Sequence, residues 1–572
     1  MHPGARIAAV VVCAGLAAPA ATPAHERVAG ASTPPSDIFA LSQGEGQPVA
    51  EVPVATRPEP PLAATPQAEC GPGSRPEPGI QGRVPEGSAE NGLWCNLRLV
   101  SHSGRSGGFR VWRYTDRAGR ECAYYDSTLL YPLNALQLSG DSDGVVVLDM
   151  SDPANPVQTA TLTDVPMRSP HESLNLNARR GLLAAVMGNP GTFPGIFTVY
   201  DVSDDCRHPV HRATFPIARL GHESGFSEDG QTYYAAGTAQ RSVTAIDLAD
   251  PASPRVVWQG QVSSHGLSLS PNGDRAYIAD AVGGNLTILD TSEIQARRPD
   301  PQARQVARLT WQSASIPQTA IPFTRGGRPY LLEVDEYSYN VSTGGQGVGA
   351  ARIIDISDET APHVVSNLRL RVHDPGEHEK AADDPGASSP VQGYAAHYCN
   401  VSDPVDPDVV ACSFIASGLR VFDITDVERP REIAYYVAPT RGRIENGYEP
   451  SNYAMSQPQV IPERREIWYS DGTSGFFALR LAESAWPAER RATRCVARRR
   501  HIVRVRASRR SRVRRVAARL GGRRVRAVRR GRSVRVRVDL RSARASRVRL
   551  VVRMRLADGR MLRRDRVFRI CR

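Results

Sequence analysis

Short apolar runs rich in β-branched residues recur along the middle of the chain, and each is followed by polar turn residues. Six runs end in an aspartate, and a seventh, degenerate copy has arginine at that position. The copies are spaced 43 to 68 residues apart, an interval that indicates stacked supersecondary units. The runs are VVVLDMSDPANP (Asp149), FTVYDVSD (Asp201), VTAIDLADPASP (Asp247), LTILDTSE (Asp290), ARIIDISDETAP (Asp355), LRVFDITDVERP (Asp423) and GFFALRL (Arg480).

Each run predicts a strand, and its neighbours predict the rest of a sheet. A Ser/Asp/Pro turn follows the aspartate, whose side chain we expect to bond nearby backbone amides, and another strand comes next. Two further apolar runs precede each phrase, so every unit is expected to be a four-stranded antiparallel sheet. Seven such units closed in a ring predict a seven-bladed β-propeller over residues 70–481. The segment 96–103, which has no sheet of its own, is predicted to complete the last blade and so remove an exposed edge.

The phrase VVVLDMSDPANP and its copies resemble the defining strand of the LVIVD-repeat family of secreted bacterial β-propellers. The resemblance covers roughly residues 70–481, and the arginine-rich, lysine-poor composition resembles that of actinobacterial proteins. It implies the propeller fold. It implies no particular activity, because the family motif is a structural strand and turn.

The N-terminus predicts export. An apolar stretch from Ile7 to about Leu16 is followed by small residues, which is typical of a signal peptide over residues 1–24 and is too short to span a membrane. Residues 25–69 are rich in Pro and Ala and predict a linker. No other apolar stretch is long enough to span a bilayer, so the mature protein is expected to be secreted or attached to the cell surface, without a transmembrane span.

Eight cysteines remain after Cys13, and an even number in an exported chain favours disulfides over metal thiolates. Cys399 and Cys412 fall on neighbouring predicted strands and are expected to form a cross-strand disulfide, with a redox-active thiol pair as the alternative. Cys495 and Cys571 bracket the C-terminal segment and are positioned to close it. Cys70, Cys95, Cys122 and Cys206 admit three pairings, which the sequence does not rank.

The C-terminal segment alternates Val and Arg with a period of two, as in SVRVRVDL, which predicts half-buried strands. After a linker over 482–494, we therefore expect a small β-sandwich over 495–571. Residues 491–572 contain 33 arginines and 3 acidic residues, a net charge of +30 against +13 for the whole chain. Export and the strand pattern make nucleic acid an unlikely partner, and anionic polymers of the cell wall or envelope are the expected one.

Candidate chemistry lies where the first strands of the blades begin, at the mouth of the channel. Aligning these strands places six side chains at one position and several acidic side chains beside them. The six are His171, His222, His265, Gln318, His397 and Gln457. The supporting acids are Glu172, Glu223, Asp126, Asp280, Glu333, Asp335, Glu336 and Asp471.

Three interpretations of these side chains stay open. The histidines bind a transition metal, which imidazole suits; or the position binds a small ligand or sugar; or the polar side chains only bond to one another and to channel water. No nucleophile motif, phosphate loop or zinc-protease motif is present. The leading hypothesis is an exported scaffold that binds an unknown protein or carbohydrate on its loop-rich face. The alternative is an oxidoreductase or hydrolase with a metal on the channel histidines.

Overall fold

The computed structural model describes residues 46–127, 144–187, 194–237, 241–337, 347–388, 393–440, 452–487, 500–506, 513–521, 523–531, 533–541, 547–557 and 561–569. Within these ranges strands predominate, so the prediction of an all-β chain is confirmed. The helices are Val165–Arg168, Ser292–Gln295 and Pro375–Lys380, with 3-10 turns at Arg371–His373 and Pro385–Ser388. None of these described helices has the length or the hydropathy to cross a bilayer. The predicted signal peptide, Cys495 and Cys571 lie outside the described residues.

Seven antiparallel sheets occupy the described part of residues 97–481. Sheet one contains Val111–Thr115, Glu121–Asp126, Val145–Asp149 and Val157–Leu162. Sheet two contains Asn175–Asn177, Leu182–Val186, Gly195–Asp201 and Val210–Ala218. Sheet three contains Glu223–Phe226, Thr232–Gly237, Ser242–Asp247 and Arg255–Gln261. Sheet four contains Leu267–Leu269, Arg275–Asp280, Asn285–Asp290 and Arg304–Thr310.

The remaining sheets follow the same order of strands. Sheet five contains Ile316–Arg325, Arg328–Glu336, Ala351–Asp355 and His363–Leu368. Sheet six contains Tyr398–Val401, Val409–Phe414, Gly418–Asp423 and Arg431–Val437. Sheet seven contains Gln459–Ile461, Glu466–Asp471 and Gly475–Leu481, and its fourth strand is Leu97–Ser103 from the other end of the chain.

The repeated aspartates end the third strand of six sheets and close the turn that follows. In each case a carboxylate oxygen accepts a hydrogen bond from the backbone N–H two residues later, at 2.7 to 3.2 Å. This is the backbone-mimicking turn that short acidic side chains favour, and it confirms the structural interpretation of the motif. Arg480 of sheet seven has no such role and instead pairs with Glu466 at 2.5 Å.

Hydrophobic clusters join each sheet to the next and return to the start. Val147 of sheet one packs in one cluster with Leu176 of sheet two, and equivalent clusters connect the following pairs up to sheets six and seven. A further cluster contains Trp468 of sheet seven and Val111 of sheet one. Each sheet therefore buries both faces against neighbours in a cyclic order, which is the architecture of a β-propeller.

The N-terminal strap, residues 46–95, runs along the outer edges of four sheets. Gln47–Pro48 and Val54–Thr56 pair in parallel with the outer strands of sheets three and four. The N–H of Thr65 donates to the carbonyl of Arg369 beside sheet five, and Leu93–Cys95 pairs with the outer strand of sheet six. Residues 46–69 of the predicted linker are thus extended and attached to the sheets, because extended Pro- and Ala-rich backbone still offers N–H and C=O groups to an open sheet edge.

Buried ionic contacts tie the strap to sheet six. Arg420 is fully buried, donates to Glu77 of the strap at 2.9 Å and to Glu432 at 3.1 Å, and lies 4.5 Å from the ring centroid of Tyr435. Two carboxylates and an aromatic face surround one guanidinium, so the charge is compensated where water is excluded.

Three disulfides are present in the described residues. Cys399 and Cys412 are direct cross-strand partners in sheet six and form the expected bond. Cys122–Cys206 links sheets one and two, and Cys70–Cys95 closes a loop within the strap. Disulfides fit an oxidising, extracytoplasmic environment.

The C-terminal segment forms two antiparallel sheets that share one hydrophobic cluster. The buried side chains of the cluster are mainly the alternate valines, among them Val503, Val513 and Val536. The first sheet contains Arg500–Arg506, Ser533–Asp539 and Ala527–Arg530, and the second contains Arg523–Val525, Val513–Leu520, Arg547–Leu556 and Met561–Arg569.

Truncation tests whether the ring depends on its N-terminal strand. A chain that begins at residue 106 lacks Leu97–Ser103, so the edge of Gly475–Leu481 and the apolar faces beside it are exposed. We expect this chain to lose its cooperative unfolding transition in urea, followed by circular dichroism. The matched control begins at residue 46 and is expected to unfold cooperatively. Equal unfolding midpoints for the two chains would show that the strand is dispensable.

Candidate functional site

Four histidines enter the channel from the starts of four first strands. His222 and His397 immediately precede the first strands of sheets three and six, and His265 lies two residues before that of sheet four. His171 precedes the first strand of sheet two and has a left-handed backbone, with a φ of 50°. Because the sheets are arranged in a ring, equivalent positions in different sheets converge at its axis.

The histidines surround two buried carboxylates. Nε2 of His397 lies 3.2 Å from Glu172 and 3.3 Å from Glu336. Nε2 of His265 lies 3.5 Å from Glu336 and 3.9 Å from Glu172. Nε2 of His222 lies 3.0 Å from Oε2 of Glu172. We call these six residues the histidine cluster: His171, His222, His265, His397, Glu172 and Glu336.

Backbone carbonyls orient two of the imidazoles. Nδ1 of His265 faces the carbonyl oxygen of Pro317 at 2.9 Å, and Nδ1 of His397 faces that of Met455 at 2.7 Å. A carbonyl only accepts, so Nδ1 carries the proton in both rings and the neutral imidazole has its lone pair on Nε2. Both lone pairs then point at carboxylate oxygens, a contact between acceptors that needs a proton or a metal ion between them.

The other side of the cluster contains buried polar atoms without hydrogen bonds. His222 Nε2 and Glu172 Oε2 lie at an ion-pair distance of 3.0 Å, but neither atom forms a hydrogen bond of good geometry with the described residues. Nδ1 of His171 is also buried without a partner. One ligand atom from each of His171, Glu172 and His222 lies within 4.8 Å of the other two, so these three residues could hold a metal ion.

Electrostatics in the cluster are strongly coupled. Burial raises the pKa of Glu172, but the neighbouring histidines hold it well below its usual value. Burial opposes the charge of His397, yet hydrogen bonds to the two glutamates raise its pKa to about 10. Burial lowers the pKa of His171 to about 3. Without a metal, protonated His397 therefore compensates the carboxylates, while His171 remains neutral.

A row of neighbouring rings, tilted against one another, lines this part of the channel. The ring centroids of Phe109 and His171 are 4.4 Å apart, those of His171 and His222 are 4.5 Å apart, and those of His222 and His265 are 4.8 Å apart. Phe109 also lies 5.3 Å from His397. Phe109 of sheet one thus completes the wall, and no histidine is needed there.

Gln318 and Gln457 do not share the position of the histidines, which corrects the prediction. Gln318 is the extra residue of a β-bulge between Pro317 and Thr319, so it leaves the regular register of its strand. Gln457 forms an isolated parallel β-bridge with Arg110, which is the residue after Phe109. Both contact a second group of side chains, the arginine cluster, which contains Arg110, Glu223, Gln318, Tyr398 and Gln457.

Arg110 is the centre of this second cluster. It is fully buried, and its guanidinium donates to Glu223 and Gln457 at 2.5 Å each, to the carbonyl of Glu172 at 2.8 Å and to the hydroxyl of Tyr398 at 3.2 Å. The guanidinium carbon Cζ of Arg110 also lies 4.4 Å from the ring centroid of Tyr398. Burial raises the pKa of Glu223 to about 7 despite the arginine. Sequence reasoning missed Arg110 and Tyr398, although a charged residue beside the apolar strand VWRYT was a usable signal.

The predicted supporting acids separate into four groups. Glu172 and Glu336 belong to the histidine cluster, and Glu223 belongs to the arginine cluster. Asp126 lies behind Arg110 and accepts a hydrogen bond from its backbone N–H at 3.3 Å. The other four lie away from both clusters and have structural partners: Asp280, Glu333, Asp335 and Asp471.

These four acids lie outside both clusters, and each has partners near its own sheet. Asp280 accepts from Ser263 at 2.6 Å and Gly283 at 2.8 Å, and Asp471 accepts from Tyr453 and Thr473 at 2.9 Å each. Glu333 and Asp335 both pair with Arg352, which stacks 4.3 Å from the ring centroid of Trp311. Burial raises the pKa of Glu333 well above its usual value.

No family model matches the chain, and no curated protein matches it. Solved structures that it resembles include the Pseudomonas aeruginosa periplasmic gluconolactonase PpgL, at 15% identity over 60% of this chain and 95% of that one, with a TM-score of 0.41. Another is the β-propeller domain of Cps50 (Swd1) from Myceliophteria thermophila, at 13% identity over 67% and 99%, also with a TM-score of 0.41. A putative 6-phosphogluconolactonase from Bacteroides fragilis has 12% identity over 58% and 84%, with a TM-score of 0.39.

The pH dependence of stability tests the burial of Asp126. Burial raises its pKa to about 7, from 3.8 for the ordinary side chain. The folded state therefore binds more protons than the unfolded state between these values, so this residue makes stability fall as pH rises from about 4 to 7. Replacing Asp126 with Asn should flatten that fall by up to about 4 kcal/mol, measured as the free energy of unfolding in urea. Asp152→Asn, at an exposed turn, is the control, and an unchanged slope for Asp126→Asn would contradict the assignment.

Proposed function

We propose that this chain is an exported, seven-bladed β-propeller that binds a divalent transition-metal ion in its histidine cluster and acts as a metal-dependent enzyme. The alternative stated from the sequence thereby becomes the leading one. The observation that carries the proposal is the convergence of imidazole nitrogens with defined lone pairs on two buried carboxylates.

The donor set fits such an ion. Imidazole suits zinc, copper, iron and nickel, and a carboxylate commonly completes these sites. His265 and His397 have the hydrogen bond from Nδ1 to a carbonyl that typically orients a metal-binding imidazole. His171, Glu172 and His222, whose ligand atoms lie within 4.8 Å of one another, would complete the site. When bound, the ion would supply Lewis-acid or redox chemistry at the channel axis.

The surrounding features support the rest of the proposal. Seven sheets in cyclic contact support seven blades, and the strand phrases support membership of the LVIVD-repeat family. Three disulfides support export. Much of the loop-rich face predicted to recognise a protein or carbohydrate lies outside the described residues, in 128–143, 188–193, 338–346 and 389–392.

Metal analysis tests the centre directly. The protein is purified without a histidine tag, stripped with a chelator, reconstituted separately with zinc, copper and cobalt, and analysed by mass spectrometry of the metal. We expect about one ion per chain, and less than about a tenth per chain for the double variant His265→Ala, His397→Ala, because two ligands are lost. Cobalt absorption in the visible region reports the ligand field independently.

A matched control separates ligand loss from general damage. His208→Gln replaces an exposed histidine outside the cluster and should retain the full metal content. Circular dichroism establishes that each variant is folded, and Glu172→Gln serves as a second variant if the double variant does not fold. Wild-type protein that stays metal-free after reconstitution, or a double variant that binds as much as the wild type, would refute the metal centre.

We further propose that the C-terminal segment is a β-sandwich that attaches to anionic wall or envelope polymers. On the sheet that contains Val513–Leu520 and Arg547–Leu556, Arg515 lies directly opposite Arg555. Like charges in this position destabilise a sheet, so an external polyanion would relieve a real repulsion. Among the described side chains of these two strands, six arginines are exposed: Arg514, Arg515, Arg519, Arg549, Arg553 and Arg555.

Retention of the full chain on immobilised polyphosphate tests this attachment, with neutral dextran as the reference matrix. Retention should fall steeply as sodium chloride rises, because each neutralised phosphate releases a counterion. The triple variant Arg515→Glu, Arg553→Glu, Arg555→Glu should elute early, and the same three changes to Lys should preserve retention. Salt-independent binding, or tighter binding to duplex DNA than to polyphosphate of equal charge, would contradict the proposal.

A further inference from the structure

The channel opens into a cavity on the far side of the arginine cluster from the histidines. Its volume is about 390 Å³, which lies within the usual range for small-molecule sites. Arg110, Glu223 and Gln457 line its inner end, and none of the four histidines reaches it. All seven sheets contribute residues to the wall of the cavity. These residues include Trp112, Asn175, Phe226, Ser268, Asn400 and Gln459.

The charges at the inner end of the cavity compensate each other. The guanidinium of Arg110 is paired with the carboxylate of Glu223, and Tyr398 and Gln457 take its other N–H groups. An anionic ligand would have to displace Glu223 from the guanidinium, and a cationic one would have to displace the guanidinium from Glu223. Because separating a buried ion pair leaves an uncompensated buried charge, this end of the cavity favours a neutral ligand.

Two buried polar groups in the wall lack hydrogen-bond partners. Nε2 of Gln459 is a free donor, and Oε2 of Glu223 is a free acceptor. Leaving such groups unsatisfied is costly, so a ligand that satisfies both is favoured. A hydroxyl group can accept from the amide and donate to the carboxylate. Because both atoms are buried, the two side chains must turn toward the cavity to meet the hydroxyls of a ligand.

Aromatic side chains provide the complementary apolar surface. Trp112 and Phe226 are half-buried and line the cavity, and the indole is held in place because Nε1 donates to the carbonyl of Leu174 at 2.8 Å. Asn175 and Asn400 are likewise anchored, since each donates its amide to a backbone carbonyl of the next sheet at 2.9 Å. The wall thus combines a fixed aromatic surface with fixed amides and hydroxyls.

We propose that this cavity binds a neutral sugar, as one or two rings, at a site separate from the histidine cluster. The aromatic rings contact the C–H face of the sugar, and the free groups of Gln459 and Glu223 bind its hydroxyls. The arginine cluster forms the inner end of the site. This inference does not depend on metal binding, because no residue of the histidine cluster lines the cavity.

Ligand titration tests the proposal with defined probes. Glucose, galactose, N-acetylglucosamine, maltose and cellobiose are compared with gluconate and glucosamine, which carry a charge. Saturation-transfer NMR detects binding by the full-length protein, and tryptophan fluorescence gives the affinity. We expect at least one neutral sugar to bind with a Kd on the order of 1 mM, and its charged counterpart to bind more weakly.

Variants then locate the site. Gln459→Leu should weaken sugar binding about tenfold, because a hydroxyl loses its donor, and Trp112→Leu should weaken it and abolish the fluorescence change. Gln158→Leu makes the same amide-to-alkyl change on the exposed outer strand of sheet one and should have no effect. The double variant His265→Ala, His397→Ala should bind the sugar normally, so that failure here is distinguishable from failure of the metal centre.

Several outcomes would overturn the proposal. One is the absence of binding by every neutral sugar up to concentrations about a hundredfold above the expected Kd. Another is tighter binding of gluconate or glucosamine than of the neutral sugars. A third is an unchanged affinity in folded Gln459→Leu and Trp112→Leu proteins.

Discussion

The pairing of Leu97–Ser103 with Gly475–Leu481 joins the two ends of the ring, and the channel depends on it. Seven sheets stacked in an open row would expose an apolar face at each end. Closure buries both, in the cluster that contains Trp468 and Val111. Because closure brings the first strands to one axis, it also brings together side chains that are as far apart in the chain as Arg110 and Gln457.

A polar axis inside an apolar ring creates an electrostatic problem that the two clusters solve in different ways. In the arginine cluster a guanidinium is paired with Glu223 and surrounded by neutral acceptors. In the histidine cluster two carboxylates face imidazole nitrogens, and the charge can be compensated by protons or by a metal ion. The first arrangement compensates its own charge, although Oε2 of Glu223 and Oε1 of Gln318 lack hydrogen-bond partners among the described residues, whereas in the second the buried atoms without such partners are imidazole nitrogens of His222 and a carboxylate oxygen of Glu172 that face each other. This difference is why the metal is proposed for the histidine cluster and the neutral ligand for the cavity beside the arginine.

The N-terminal strap and the C-terminal sheets lie outside the channel. The strap follows the outer edges of sheets three to six, is tied to sheet six through Glu77 and Arg420, and contains its own disulfide. The C-terminal sheets bury their valines and expose their arginines. The proposed ligand sites therefore lie at the axis of the ring, and the proposed polyanion-binding surface lies on the C-terminal sheets.

The sequence by itself determined the all-β class, the repeated strands, the aspartate turns and the disulfide between Cys399 and Cys412, because each is encoded by local spacing or by neighbouring strands. It also identified the four histidines near the starts of the first strands, although their distances from these strands differ in the structure. Only the tertiary structure decided which side chains share a space. A β-bulge moves Gln318 out of the histidine position. Glu333 and Asp335 form ion pairs with Arg352 within sheet five. Arg110 and Tyr398 contact each other at the axis of the ring. The physical reason is that contacts across the ring depend on closure and on single-residue shifts of register, and neither is visible in the local pattern of any one strand.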